Sequence, residues 1–192
     1  MKKKIPSLLV YFRLALAPAM ILLSLNYGDK ARPYLVLALL AGIVSDIFDG
    51  IIARRIGVAT EQLRKLDSNV DAVFWCAALL SAWLLNPEII VWHAGEIALL
   101  IILELSCYAL CYVKFHKTPA NHSYISKAWA IAVFIALTAI IGLSSDKYVF
   151  EFMYILGIIS YIDNILILLL LPEWKSDTRS CWKALRLFRN SH

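Results

Sequence analysis

Polar residues are scarce in this chain. Only 17% of its 192 residues are charged, while 61% are hydrophobic, a balance too apolar for one soluble core. Little sequence is left over for a soluble domain, and the class that remains is a polytopic membrane protein. A disulfide framework is also missing. Cys76, Cys107, Cys111 and Cys181 fall in apolar segments or on the C-terminal tail, so they do not form the pattern of a stapled secreted fold. Cys107 and Cys111 share a helix face, but with no further soft ligand beside them they read as small apolar side chains. Basic residues are almost absent from alternate connections. One side of the membrane would carry sixteen Lys and Arg, and the other only Lys30, Arg32 and Lys147. Basic residues near span ends stay cytoplasmic, so both termini are expected in the cytoplasm. The net charge of +5 then follows from topology, and nucleic acid is not an expected partner.

A span needs about 20 mostly apolar residues. Six candidates fit, roughly 8 to 26, 33 to 53, 66 to 85, 93 to 113, 127 to 143 and 149 to 171, separated by NYGDKARP, NPE, KFHKTPANHS, SSDK and LPEWKSD. The expected fold is an all-α integral membrane protein with six transmembrane helices, forming a single domain over residues 1 to 192. The opening MKKKIPSLLVYFRLALAPAM imitates a secretory leader, but Arg13 interrupts its apolar stretch and five more spans follow. It reads instead as an interfacial segment running into the first span, with Arg13 snorkelling toward headgroups. The tail from Trp174 to His192 mixes Trp182, Leu185, Leu187 and Phe188 with basic residues. It is expected to lie as a basic amphipathic segment on the anionic inner leaflet.

Against this background the stretch SDIFDGIIARRIGVATEQLRKLDSNVD, residues 45 to 71, stands out. Asp46, Asp49, Gly50 and Ala53 lie at i, i+3, i+4 and i+7, on one stripe of the second span. Asp67 and Asp71, at i and i+4, share a stripe at the start of the third. A short polar connection makes the two helices antiparallel neighbours, so four carboxylates can converge. Without a positive partner they would repel and be costly to desolvate. One such Asp often caps a helix or pairs with a nearby Arg54, Arg55 or Lys65; four at helical spacing mark a functional site. Hard oxygen ligands with no His or Cys suit magnesium, manganese or calcium, and paired cations clamp phosphates during in-line displacement. Gly50 leaves room for a ligand to approach the backbone, or for close helix packing together with Ala53.

These residues resemble the signature of the CDP-alcohol phosphatidyltransferases, D-x2-D-G-x2-A-R-x8-G-x3-D-x3-D. Seven of eight positions match, as Asp46, Asp49, Gly50, Ala53, Arg54, Asp67 and Asp71, with Leu63 where the family has glycine. The start IPSLLVYFRLALAP is similar to the family's I-P-N-x-L-T-x-x-R followed by Pro, with Pro6, Arg13 and Pro18 kept and Ser7 and Val10 departing. The resemblance implies a phospholipid-synthesising transferase in which an acceptor hydroxyl attacks the lipid-side phosphorus of a CDP-linked lipid, commonly CDP-diacylglycerol, and expels CMP. By the same resemblance Asp46, Asp49 and Asp67 hold two Mg2+ or Mn2+ ions, and Asp71 binds metal or acts as base. Gly50, Ala53 and Arg54 line the nucleotide site, and the protein forms a homodimer. A diphosphate ester needs charge neutralisation and alignment more than covalent help, and an alcohol nucleophile benefits from a carboxylate base, so residue chemistry and resemblance agree. Leu63 marks a divergent member, and SNVDAVFW after Asp67 lacks the P-x-A-D-K wording common in phosphatidylglycerophosphate synthases.

For the small alcohol acceptor the candidates are Lys127, Glu104 and Asp163. Glu104 and Asp163 are intramembrane acids about ten residues, roughly 15 Å of helix, from the cytoplasmic ends of their spans. Ser160 and Asn164 join Asp163 in a polar patch. Lys127 opens the fifth span, where related enzymes often place a basic residue near an acceptor phosphate. Each has a plainer reading, as interhelical glue or a topology-setting lysine. The expected setting is a bacterial cell membrane with its lipids as partners. The rival class is a non-enzymatic transporter whose acids bind a travelling cation.

Overall fold

The computed structural model describes residues 5–56, 60–117 and 123–171, together with Trp174, Cys181, Trp182, Leu185 and Arg189; the side chains of Ile5, Arg54, Glu61, Gln62 and Arg64 lie outside this set. Most of the C-terminal tail therefore falls outside the described residues. The elements are α1 (Ile5–Tyr27), a 3-10 turn (Gly28–Ala31), α2 (Arg32–Ile56), α3 (Glu61–Leu85), α4 (Pro87–Trp92), α5 (Ala94–Phe115), α6 (Tyr124–Leu143) and α7 (Val149–Leu170), with no strand among the described residues. Five segments are long and apolar enough to cross a membrane, the first of them, Pro6–Ala53, running through α1, the turn and α2. The chain is an all-helical integral membrane protein. α1 is one continuous helix from Ile5, with no separate interfacial helix among its described residues. The break read at NPE contains the short helix α4, opened by Pro87 at its first position, where a missing N–H is harmless.

Two compact units divide the chain. The first comprises residues 1 to 91 and 137 to 145, the second residues 92 to 136 and 146 to 192. In the first, α1 packs against both α2 and α3. Its buried stripe is Val10, Arg13, Ala17, Met20 and Ser24, a spacing of threes and fours that keeps one face of a helix turned inward. Leu8, Tyr11, Phe12, Leu22 and Leu25 are exposed on the other side. In lipid this is the expected sorting: helices associate through small residues and close packing, and large apolar side chains face the acyl chains.

The inward stripe of α2 runs through Leu35, Leu39, Ser45, Asp49 and Ala53, and that of α3 through Val70, Phe74, Ala78 and Ser81. Gly42 sets how closely α2 and α3 meet. A methyl group added there would run into the ring of the buried Phe74, so only glycine permits this approach. At the other end of the unit the chain reverses at Gly28, whose φ of 51° is the left-handed value glycine adopts without strain. Arg32 then locks the reversal. Its Nε and Nη2 donate to Asp29 Oδ1 at 2.9 and 2.6 Å, its Nη1 donates to the Ile141 carbonyl at 2.7 Å, and its Nη2 reaches Asn86 Oδ1 at 3.2 Å. Asn86 caps α3 and donates through Nδ2 to the Ile140 carbonyl at 2.8 Å. Two carbonyls in the last turn of α6 thus gain side-chain donors, Ile140 in addition to the Ser144 N–H.

In the second unit α5 packs against α7. Gly157 of α7 leaves room for Trp129 and Leu100, since a Cβ there would lie 2.7 Å from Trp129 Nε1 and 2.9 Å from Leu100 Cδ2. Lys114 donates to the Leu168 and Leu169 carbonyls at 2.9 and 2.7 Å, capping the C-terminal end of α7. His93, which precedes α5, stacks on Phe150 of α7 with ring centroids 3.7 Å apart and meets Asp146 Oδ2, in the connection before α7, through Nε2 at 2.9 Å. That hydrogen bond holds the Asp146 carboxyl below the usual carboxylate range. All four cysteines are free.

Candidate functional site

Why α3 begins where it does is legible locally. Thr60, in extended conformation, accepts the Leu63 N–H on its side-chain oxygen at 3.2 Å, the ordinary N-cap arrangement. From that start Asp67 and Asp71 fall on the α3 face that continues into Phe74 and Ala78. On α2, Asp49 lies on the inward stripe seven residues before the helix end, about 10 Å along the axis, with Asp46 one turn earlier. Both helices pack against α1, and the Phe74 ring reaches across to Gly42, so the two faces meet beside α1.

What joins the four carboxylates is an arginine from a third helix. Arg13 Nη1 donates to Asp46 Oδ1 at 3.1 Å and to Asp71 Oδ1, and its Nη2 donates to Asp67 Oδ1 at 3.0 Å and to Asp49 Oδ2. The Arg13 side chain is 1% exposed, that of Asp49 5% and that of Asp46 45%, so the cluster is buried at one end and open at the other. Here the structure corrects the sequence reading. Arg13 does not snorkel outward; it lies on the buried stripe of α1, pointing at acids 33 to 58 residues away. A lone guanidinium in an apolar interior is prohibitively costly, and partners of opposite charge decide which way it turns. The signal was available in the sequence. Arg13 is in register with the small residues Ala17 and Ser24, the packing face of a membrane helix, and out of register with the large apolar residues that face lipid.

The guanidinium is shared. Four carboxylates converge on it, Asp46 and Asp71 on Nη1 and Asp49 and Asp67 on Nη2. Arg13 Nε is buried without a hydrogen-bond partner, so the guanidinium engages the acids through its Nη atoms alone. Asp46, Asp49 and Asp67 each offer an oxygen within 4.8 Å of the others. A set of hard carboxylate oxygens with one open side fits magnesium or manganese.

The remaining sequence candidates are placed as follows. Gly50 is half-buried beside Asp49 on α2, and Ala53 is buried one turn on; the Arg54 side chain lies outside the described residues. Leu63 is half-buried in the first turn of α3 with helical backbone, so the position where the signature has glycine demands no glycine conformation in this chain. In the second unit, Glu104 lies beside the buried Tyr161. Asp163 Oδ1 accepts the Cys181 N–H at 3.4 Å, while its Oδ2 is buried without a partner. Lys127 is exposed on the first turn of α6. Next to it Ser126 Oγ receives Ser160 Oγ and Asn164 Nδ2, each at 3.1 Å, which makes the patch around Ser160 a link between α6 and α7.

Membrane-spanning helices that bring acids of α2 and α3 onto an arginine of α1, packed against both, form a carboxylate centre that could hold a hard cation. The model of the CDP-alcohol phosphatidyltransferase family matches residues 3–169, and the chain belongs to that family. Its reaction is the transfer of a phosphatidyl group from a CDP-alcohol. No curated protein and no solved structure gives a match.

Proposed function

We propose that this protein transfers a phosphatidyl group from a CDP-activated lipid such as CDP-diacylglycerol to the hydroxyl of a small polar alcohol, releasing CMP. The observation that carries this reading is the convergence of Asp46, Asp49, Asp67 and Asp71 on one point, at the signature positions of the family. Asp46, Asp49 and Asp67 hold two Mg2+ or Mn2+ ions, which when bound neutralise the diphosphate and align it for displacement. Gly50, Ala53 and Arg54 form the nucleotide side of the site. The acceptor oxygen attacks the lipid-side phosphorus, the bond from that phosphorus to the CMP oxygen breaks, and Asp71 takes the hydroxyl proton or completes the ligand set. Lys127, Glu104 and Asp163 are the candidates for recognising the acceptor.

The whole chain is read as one membrane domain in which α1 and α2 each span, giving six crossings. The excess of basic residues places both termini and the acidic site on the cytoplasmic side. A homodimer in a bacterial cell membrane is the expected form. A transporter would need polar groups strung along a path, whereas these acids are gathered around one guanidinium. The test is metal-dependent CMP release from CDP-diacylglycerol by purified protein, screened against glycerol phosphate, inositol, inositol phosphate, serine and other alcohols. No release with any acceptor, or full activity in Asp71→Asn, overturns the reading.

A further inference from the structure

Arg13 and the divalent ions need the same carboxylates. The guanidinium sits among Asp46, Asp49, Asp67 and Asp71, and three of these are the residues whose oxygens lie close enough to share an ion. A divalent cation placed on those oxygens would meet a buried positive charge a few ångströms away, a repulsion that is large at the effective dielectric of a protein site. We infer that Arg13 is an internal counter-cation of the metal site, holding the four carboxylates together when no divalent ion is bound and leaving at least some of them when ions enter.

Three observations support an exchange over a fixed strut. Each Nη atom is shared between two carboxylates, so an ion on Asp46, Asp49 and Asp67 takes up oxygens that Arg13 holds only jointly. The buried Nε has no hydrogen-bond partner, so nothing anchors the guanidinium apart from the acids themselves. The side chain comes from α1, which contributes none of the carboxylates, so it can withdraw without moving the ligand-bearing turns of α2 and α3. The consequence is a site whose metal affinity is set below what its acids alone would give. It also avoids leaving four carboxylates unneutralised in an apolar surround between metal-binding events.

This inference rests on the Asp set binding divalent metal, and the experiment separates the two. Mn2+ binding is measured by calorimetry on the full chain in detergent after EDTA treatment, for the unsubstituted protein, Arg13→Gln and Arg13→Lys. Arg13→Gln is expected to bind Mn2+ at least tenfold tighter, about 1.4 kcal/mol, and to unfold at lower temperature in EDTA with a larger upward shift on adding Mn2+. Arg13→Lys, which keeps the charge, stays near the unsubstituted affinity. Equal or weaker binding by Arg13→Gln overturns the role of Arg13 alone; no Mn2+ binding by any of the three overturns the metal reading with it. A readout that needs no variant is phenylglyoxal modification of Arg13, followed by peptide mass spectrometry. It is expected to be slow in EDTA and several-fold faster with Mn2+, and an unchanged rate overturns the exchange.

Discussion

Arg13 and Arg32 both anchor the first unit, one toward each end of α2, and they solve different problems. Arg32 meets one exposed carboxylate, Asp29, and otherwise neutral acceptors: the Ile141 carbonyl and the Asn86 side chain. Its charges balance, and its hydrogen bonds satisfy helix ends that would otherwise lack partners. Arg13 meets four carboxylates and no neutral group. The two share residue type and are both largely withdrawn from the surface, Arg13 at 1% and Arg32 at 18% exposure, so burial of an arginine does not by itself distinguish scaffold from site. The partners do. Arg32 ties one carboxylate to helix-end acceptors, which is scaffold, whereas Arg13 gathers four acids, three of them with oxygens close enough to hold an ion.

Substitutions sharpen this contrast. The largest effect is expected at Asp49→Asn, which removes a ligand and a charge but little volume. CMP release should fall about a thousandfold, while the unfolding midpoint in EDTA does not fall, because one of four mutually repelling carboxylates has been neutralised. A clear drop in that midpoint would mean that the carboxylate centre is as structural as the Arg32 end. Arg32→Gln should do the reverse. Losing charge-assisted bonds to buried acceptors costs about 2–3 kcal/mol of stability, read by thermal unfolding in detergent, with Mn2+ affinity and turnover per folded molecule unchanged. Gly42→Ala lies between the two ends and should touch both. Crowding Phe74 costs about 1–2 kcal/mol, and by parting α2 from α3 it lowers Mn2+ affinity measurably. Leu63→Gly is the smallest. It removes a helix former from the first turn of α3 at a cost under about 1 kcal/mol and leaves CMP affinity within about twofold. A tenfold change, about 1.4 kcal/mol, would place this side chain in the donor site.

Much of this arrangement is legible in the sequence because lipid imposes a simple rule on length and hydropathy. The apolar stretches from 8 to 26 and from 33 to 53 sit inside α1 and α2, whose ends run a few residues further because a helix continues into the interface once its backbone bonds are made. The pairing of Asp46 and Asp49 with Asp67 and Asp71 follows from helical spacing and a short connection. Arg13 was harder to place. Hydropathy alone treats a basic residue near a span end as one that reaches for headgroups, and only the register of Arg13 with Ala17 and Ser24 reveals which way it faces. The Arg32 knot was also hidden, since backbone carbonyls carry no side-chain signature. The polar patch at Ser160, Asp163 and Asn164 was visible as a patch, but its link to Ser126 depends on how α6 and α7 pack, which spacing within one helix does not encode.

The position of Arg13 has a bearing on how the chain is made. α1 leaves the ribosome before α2 and α3, and its buried guanidinium lacks these four partners until they follow; the nearest carboxylate is 33 residues downstream and the farthest 58. A charge near the middle of an isolated membrane helix costs about 2.5–3.5 kcal/mol at insertion, and the two Asp of α2 add their own burden. Neither helix is comfortable alone in lipid, and the three become so together. α1, α2 and α3 therefore stabilise one another in the membrane, and the carboxylate centre exists only once all three have packed.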